Sequence, residues 1–252
     1  MADEGKHRGT PRDVMFLHHS TGKNIIYFDD SDAGGDVRAR LAARDIDFWD
    51  HDYPGEESIH RPDGSATSDY GIANTDPDGF YDLFCQDENG DFSQLLTHGT
   101  ILFKSCYPTC HIDSDEKLEQ YRKWYVAIGD IIEKHPDKLF VPFTPPPLHA
   151  LATNSDEAAR SRAFAEWMVG EWQTGHNARV DNMRVFNLFD ILAGENLSGP
   201  ESNMLKPEYR RDPEQKDSHP NDAANKVASA ALVDFIESSV KGFESKGWRG
   251  KK

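Results

Sequence analysis

The chain has 252 residues, with 28 Lys and Arg against 44 Asp and Glu, which gives a formal net charge of −16. Nucleic acids and anionic membranes require a basic face, so this acidic balance argues against both partners. The length suits one α/β domain with a full core, so we predict a single domain over residues 1–252.

The first predicted strand is the apolar run at residues 14–17, which ends abruptly in His18-His19-Ser20-Thr21-Gly22. If a helix begins at about Thr21, its first backbone N–H groups can hold a developing negative charge. The stretch therefore indicates either a nucleophilic Ser20 or a serine that only caps the helix. By itself it leaves both interpretations open.

Four further short apolar runs are predicted strands: residues 46–49, 100–104, 138–143 and 183–189. Helices are predicted at residues 36–44 and 118–132, from about residue 155, and from Asn221 onward. Strand and helix thus alternate five times. This predicts a three-layer α/β/α fold with a flavodoxin-like parallel five-stranded sheet of order 2-1-3-4-5.

Residues 51–98 contain many Gly, Pro and Asp residues, with aromatic residues scattered among them. A structureless segment of this length in a compact domain is usually functional, so we predict a lid or pocket wall. The last residues, 241–252, are expected to form a frayed tail.

In a sheet of this order, ligands bind where the strand order reverses, here between the first and third strands. Ser20 follows the first strand, and the turn 104–106 follows the third. The polar loop before the last helix would bring Asp217 and His219 to the same edge. A serine nucleophile needs a base and a third group that orients the base, so these three residues are candidates for a catalytic triad.

The sequences His19-Ser20 and Asp217-Ser218-His219-Pro220-Asn221 resemble the SGNH (GDSL-type) hydrolases. The match is closest to a divergent bacterial subgroup with His-His-Ser-Thr-Gly at the front and Phe-Lys-Ser-Cys-Tyr-Pro in the middle, here residues 103–108. Two features depart from the family pattern. His18-His19-Ser20 replaces Gly-Asp-Ser, and Asp217 stands two residues before His219 instead of three, with Lys216 at the usual acid position.

The resemblance also implies residues for the oxyanion site. Gly71, near Asn74, matches the family's second-block glycine best, and the turn with Lys104 and Cys106 stands where the family has an Asn donor. His19 is a further candidate for oxyanion or substrate binding. Independently, the Ser20 N–H is an expected donor, because the nucleophile's own amide commonly serves. Lys104 could instead be a strand-end lysine bonded to nearby carbonyls.

Together these features predict a serine esterase that removes short acyl groups, with no cofactor. The family resemblance suggests acetyl esters of carbohydrates, which aromatic residues could bind by stacking: Trp49, Tyr53, Tyr70 and Tyr107. The alternatives are a non-catalytic glycan-binding module and an O-acyltransferase on the same scaffold. The substrate, the oligomeric state and the compartment stay open, and no signal peptide is recognised in this chain.

Two weaker alternatives involve cysteine. His18, His19, Cys106, Cys110 and His111 could gather at one edge, but their spacing fits no standard zinc pattern, so no metal is predicted. Cys106 with His111 is a second possible nucleophile–base pair. Three cysteines do not make a disulfide framework; a Cys106–Cys110 bridge is conceivable, and reduced thiols are favoured.

Overall fold

The computed structural model describes residues 5–27, 37–55, 57–86, 90–193 and 199–247. Within these ranges, six strands form one sheet: β1 (Asp13–Leu17), β2 (Asp47–His51), β3 (Ile59–His60), β4 (Ala66–Thr67), β5 (Thr100–Phe103) and β6 (Leu139–Pro142). Their order is β4-β3-β2-β1-β5-β6. Strands β2, β1, β5 and β6 are parallel, and β3 and β4 add an antiparallel edge, so the sheet is mixed.

The helices of the described residues lie between and after the strands. They are α1 (Thr21–Ile26), α2 (Val37–Ala42), α3 (Pro77–Phe84), α4 (Asp91–Leu95), α5 (Asp115–Ile132), α6 (Ser155–Trp167), α7 (Gln173–Asn177), α8 (Leu188–Ala193) and α9 (Asp222–Ser245). A π-helical turn, Met168–Trp172, joins α6 to α7. None of these helices has both the length and the apolar character needed to cross a membrane.

Helices cover both faces of the sheet because alternate side chains of its parallel strands enter two separate hydrophobic clusters. In β1, Met15 and Leu17 pack with residues of α3, α4 and α5. Val14 and Phe16, on the opposite face, pack with residues of α1, α2, α8 and α9. Successive side chains of a strand point to opposite faces, so a strand buried on both sides is apolar throughout. This arrangement has three layers, α/β/α.

The predicted five-stranded parallel sheet of order 2-1-3-4-5 does not occur in this form. Met183 and Phe186 make only single parallel bridges, to Phe140 and Phe143. The Asn187 side chain then accepts from the Asp190 N–H at 3.3 Å, at the start of α8. Because a helix begins directly after the second bridge, residues 183–189 are too short a run to form a ladder.

Two other segments differ from the predictions. Residues 51–98 are not structureless, since they hold β3, β4, α3 and α4. The Asp76-Pro77 pair, which resembles a turn in the sequence, starts α3, where proline's missing N–H is harmless. Helix α9 continues to Ser245, so fraying does not begin at Lys241, and residues 248–252 lie outside the described residues.

Gly99, which precedes β5, provides a test of this packing. A Cβ at this position would lie 1.8 Å from the Thr10 carbonyl oxygen, while the Gly99 N–H donates to the Asp13 oxygen at 3.1 Å. We predict that Gly99→Ala lowers the free energy of unfolding by about 3 kcal/mol. The backbone at Thr10, rather than a flexible side chain, must move to make room for the new methyl group.

Urea denaturation followed by circular dichroism measures this effect. Gly242→Ala, in α9, is the control, since its Cβ would meet open space. We expect it to leave stability unchanged or raise it by up to about 1 kcal/mol. Equal stability of the Gly99 variant and the wild type would contradict the packing described.

Candidate active site

Ser20 lies between β1 and α1. Its backbone, with φ 46° and ψ −98°, has a conformation that residues other than glycine rarely adopt. It occupies the N-cap position of α1, yet its side chain makes no capping hydrogen bond. Its Oγ is hydrogen-bonded instead to Nε2 of His219, 199 residues later in the chain. The hydroxyl therefore contacts an imidazole ring and does not serve as a helix cap.

The turn at Ser20 is tight enough to require a glycine. The Gly22 N–H donates to the His19 oxygen at 2.9 Å, and a Cβ at Gly22 would lie 2.3 Å from Cβ of His18. Any larger residue would push His18 and the strand end apart. The sequence Ser-Thr-Gly thus holds the serine hydroxyl at the carboxyl end of β1.

His219 is oriented by a single oxygen of Asp217. Oδ1 of Asp217 accepts from the backbone N–H of His219 at 3.0 Å and lies 2.5 Å from its ring Nδ1. A carboxylate beside Nδ1 keeps the ring proton there, which leaves Nε2 as the acceptor for the serine O–H. The two-residue spacing is therefore compatible with orientation of the base, and Lys216, at the usual acid position of the family, is exposed.

The charge of Asp217 suits this arrangement. Burial would raise the pKa of its carboxyl, but the hydrogen bonds from the backbone and ring of His219, with the charges of His219 and Arg211, outweigh it and lower the pKa. Nη1 of Arg211 lies 3.9 Å from Oδ2 of Asp217. The ionised carboxylate can stabilise an imidazolium when His219 takes a proton.

The loop that carries these two residues is fixed at both ends. Oγ of Ser218, which is fully buried, accepts from the His149 N–H at 2.9 Å. Asn221 caps α9 by accepting from the Ala224 N–H at 3.1 Å, and its Nδ2 donates to the Glu208 oxygen at 2.8 Å. The base is thus held by backbone and side-chain hydrogen bonds on each side.

A polar network centred on Asp50 fixes the end of β1 through His18. The rings of His18 and His60 lie 3.2 Å from its Oδ2, and the Tyr27 hydroxyl donates to its Oδ1 at 3.0 Å, where Arg38 also binds. Burial would raise the pKa of Asp50, but hydrogen bonds from His18 and His60, with the charges of His18 and Arg38, hold it well below its usual range. His18 therefore belongs to the supporting network.

A cavity of about 330 Å³ opens at the Ser20–His219 pair. Its other walls come from His19, from Tyr53 and residues 73–76, and from residues 106–108. Part of the 51–98 segment therefore forms a wall of this cavity. Tyr107 meets the His219 ring edge-on, with ring centroids 4.9 Å apart.

His19 is a neutral, buried wall of the cavity. Its ring stacks on Tyr53 with centroids 4.0 Å apart, and its Nδ1 lies 3.2 Å from the Thr75 hydroxyl oxygen. Burial, helped by the charge of His18, lowers the pKa of His19 to about 4. At neutral pH it therefore carries no charge into the site.

Only part of the turn after β5 reaches the cavity. Lys104 is fully buried, its Nζ donates to the Ser105 oxygen at 2.9 Å, and burial lowers its pKa. It thus has the structural contact of a strand-end lysine. Cys106 does line the cavity, and its Sγ lies 3.4 Å from Oγ1 of Thr21. Burial would raise the Cys106 pKa, but Lys104 and the hydrogen bonds of Thr21 and Ser20 lower it.

The other predicted site residues separate into those at the cavity and those away from it. Gly71 is not at the cavity, and its N–H donates to Asp69 at 2.8 Å, so its assignment to the oxyanion site does not fit. Asn74 lines the cavity. Of the aromatic residues, Tyr53 and Tyr107 are present, whereas Trp49 and Tyr70 contact His98 elsewhere.

Sequence reasoning missed Thr75 and Asp76, two polar residues of the cavity wall. Both precede Pro77 in a stretch that has the composition of an ordinary turn. Nothing local distinguishes them, because their place depends on how α3 packs against the strand ends.

The structure brings together neither a Cys106–His111 pair nor, within the described ranges, a metal site that includes Cys106 and Cys110. His111 is paired with Glu157 at 3.7 Å and not with Cys106, and Cys85, Cys106 and Cys110 are free. Within the described ranges, no group of three or more His, Cys, Asp and Glu side chains could hold a metal ion.

A larger cavity, of about 910 Å³, lies at the amino ends of the strands, between Thr10 and Lys138. Its only serine, among the residues described there, is Ser93, whose hydroxyl donates to the Gly90 oxygen at 2.7 Å. Parallel sheets place their sites at the carboxyl ends of the strands, so the smaller cavity at Ser20 is the candidate active site.

The pKa of His19 leads to a test of its environment. Its folded-state pKa, about 4, lies below the ordinary value of 6.5, so the unfolded chain binds the proton first as the pH falls. We predict that this group's contribution to stability is complete above about pH 6.5 and falls by about 3 kcal/mol toward pH 4. The His19→Gln variant should lack this loss in denaturation curves over the range, and an equal slope in both proteins would contradict the assignment.

A scan against protein-family models, a search of curated proteins and a search of solved structures found no match to this chain.

Proposed function

We propose that this protein is a serine hydrolase of the SGNH type that cleaves short acyl esters. The observation that carries the proposal is the continuous hydrogen-bond chain from Oγ of Ser20 through the His219 ring to Asp217. Ordinary turn chemistry explains Asp217 and His219 separately, but it does not explain why a strained Ser20 contacts Nε2 of this histidine. A nucleophile, a base and an orienting acid in this order support acyl transfer.

The proposed reaction has two steps. Ser20 Oγ attacks the ester carbonyl carbon while His219 Nε2 takes the hydroxyl proton, and the same proton then passes to the leaving alcohol oxygen. Water next attacks the acyl carbon while His219 accepts its proton; the bond from that carbon to Ser20 Oγ then breaks, the proton returns to Oγ, and the carboxylic acid is released. Asp217 stays ionised throughout and stabilises the imidazolium.

Negative charge on the carbonyl oxygen needs hydrogen-bond donors. In the described part of the chain, the Ser20 N–H donates to no acceptor, so it can serve. The second donor we propose is Nδ2 of Asn74, because Oδ1 of this cavity-lining side chain already accepts from the Asp76 N–H at 2.9 Å. Lys104 and Gly71 are not part of this proposal.

The sheet is compatible with the proposed family. The parallel strands follow the order β2-β1-β5-β6, which matches the first four places of the order 2-1-3-4-5. We propose that residues 183–186, which bridge the edge strand β6, take the fifth place of a flavodoxin-like arrangement. The small, polar cavity favours a short acyl group such as acetyl over a long chain.

A fluorophosphonate probe tests the proposal directly, because it forms a covalent adduct with an activated serine. Intact-mass analysis should show one adduct on the wild type and none on Ser20→Ala or His219→Ala. Ser93→Ala, which removes the serine hydroxyl of the larger cavity at the amino ends of the strands, should keep the adduct. No labelling of the wild type, beside a labelled control esterase, would overturn the proposed function and leave a binding module as the explanation.

Asp217→Asn tests the orienting acid. An amide at this position cannot hold the Nδ1 proton as a carboxylate does, so we predict that kcat for p-nitrophenyl acetate falls by about ten-thousandfold with little change in KM. Lys216→Ala, at the exposed neighbouring position, should keep wild-type kcat. Equal kcat values for Asp217→Asn and the wild type would remove Asp217 from the mechanism.

A further inference from the structure

Asp76 is the one carboxylate among the described residues that line the cavity at Ser20, and no Lys or Arg side chain lines it with Asp76. The cavity therefore presents a single fixed negative charge beside the proposed nucleophile. The catalytic steps proposed above do not use this group.

The Asp76 side chain does not cap the helix that it precedes. It stands at the N-cap of α3, where an Asp normally accepts a hydrogen bond from the first turn, yet it makes no such bond. Within the described ranges, its one side-chain hydrogen bond is accepted from Oγ1 of Thr109, at the long distance of 3.5 Å. Most of its acceptor capacity is thus available to a ligand in the cavity.

Two lysines, Lys104 and Lys117, act on the Asp76 carboxylate through their charges. Lys104 is fully buried and donates to the Ser105 oxygen, and Lys117 donates to the His111 oxygen. Neither of them lines the cavity. The chain's formal charge of −16 adds a general field of the same sign as Asp76.

Two aromatic rings are a second, independent feature that favours a cation in the cavity. Tyr53, which is 55% exposed, and Tyr107 both line the cavity. The faces of aromatic rings attract cations, and the attraction increases when water is displaced. A carboxylate and two tyrosine side chains in one cavity wall favour a cationic group over an anionic one.

Building on the proposed serine-hydrolase function, we propose that Asp76 is a specificity-determining residue that selects short esters carrying a cationic group close to the carbonyl and rejects anionic ones. The cavity, about 330 Å³, is at the small end of ligand sites and suits a group of this size. At a contact distance in a partly hydrated site, one charge pair is sufficient for about a tenfold preference.

Two series of esters measure this preference, one with the charged group in the alcohol part and one with it in the acyl part. The alcohol series is acetylcholine, its neutral isostere 3,3-dimethylbutyl acetate, and 3-sulfopropyl acetate. The acyl series is the p-nitrophenyl esters of 4-trimethylammoniobutyrate, butyrate and succinate. Partial burial and the charge of Asp78 raise the pKa of Asp76, so kcat/KM is measured at about pH 8, where the carboxylate is ionised.

We expect kcat/KM for the cationic ester to exceed that for its neutral counterpart about tenfold in at least one series, with the anionic ester the poorest. The ratio should fall to about one in Asp76→Asn and should decrease as salt is added. Asp78→Asn is the matched control. It removes the same charge two residues away, outside the cavity, and should keep the wild-type ratio.

The two proposals can fail separately. If the enzyme hydrolyses neutral esters but shows no cation preference in either series, or keeps its preference in Asp76→Asn, the role of Asp76 is overturned and the hydrolase function stands. Loss of the preference in Asp78→Asn as well would assign it to the general field and also overturn the role. If no ester is hydrolysed and the fluorophosphonate does not label Ser20, the hydrolase function fails and this inference fails with it.

Discussion

The arrangement of the site depends on one carboxylate oxygen that binds one residue twice. Oδ1 of Asp217 contacts both the backbone N–H and the ring of His219, which sets the loop conformation and the ring orientation together. Because the acid and the base are two residues apart, the backbone bond closes a short turn that aims the ring. A spacing that departs from the family pattern is thus still able to orient the base.

The opposite side of the site depends on strain that the fold supports. Ser20 has a positive φ, and such a conformation persists only where the surroundings hold it. Gly22 allows the tight turn, and the buried network on Asp50 fixes the strand end through His18. Two independently anchored segments therefore meet at a single hydrogen bond across the carboxyl end of the sheet.

Sequence reasoning identified those parts of the molecule whose patterns are local. The apolar runs of β1, β5 and β6 and the N-cap Asn221 are visible in the sequence, and the structure has strands and a helix at these places. Ser20, His219 and Asp217 were inferred from strand ends and one loop, and they are hydrogen-bonded to one another. The antiparallel edge β3-β4 was missed, because two-residue strands leave no periodicity to detect.

The errors have a common physical origin in tertiary packing. Residues 183–189 have the composition of a strand, but a helix cap at Asn187 interrupts the ladder. The family position points to Gly71 as an oxyanion residue, but its N–H donates to Asp69 instead. Thr75 and Asp76 resemble turn residues until α3 packs and makes them a cavity wall. A cavity wall formed by several distant segments cannot be recognised from the sequence of any single segment.

The central claim is that the Ser20–His219–Asp217 chain performs acyl transfer through a serine ester. Its most direct test is acid quenching during turnover of p-nitrophenyl acetate, followed by mass analysis of the peptide that contains Ser20. We expect an acetyl group on Ser20 that forms within the first turnover and disappears when substrate is exhausted. Steady product release with no acetylated Ser20, or acetyl found on Cys106 instead, would contradict it.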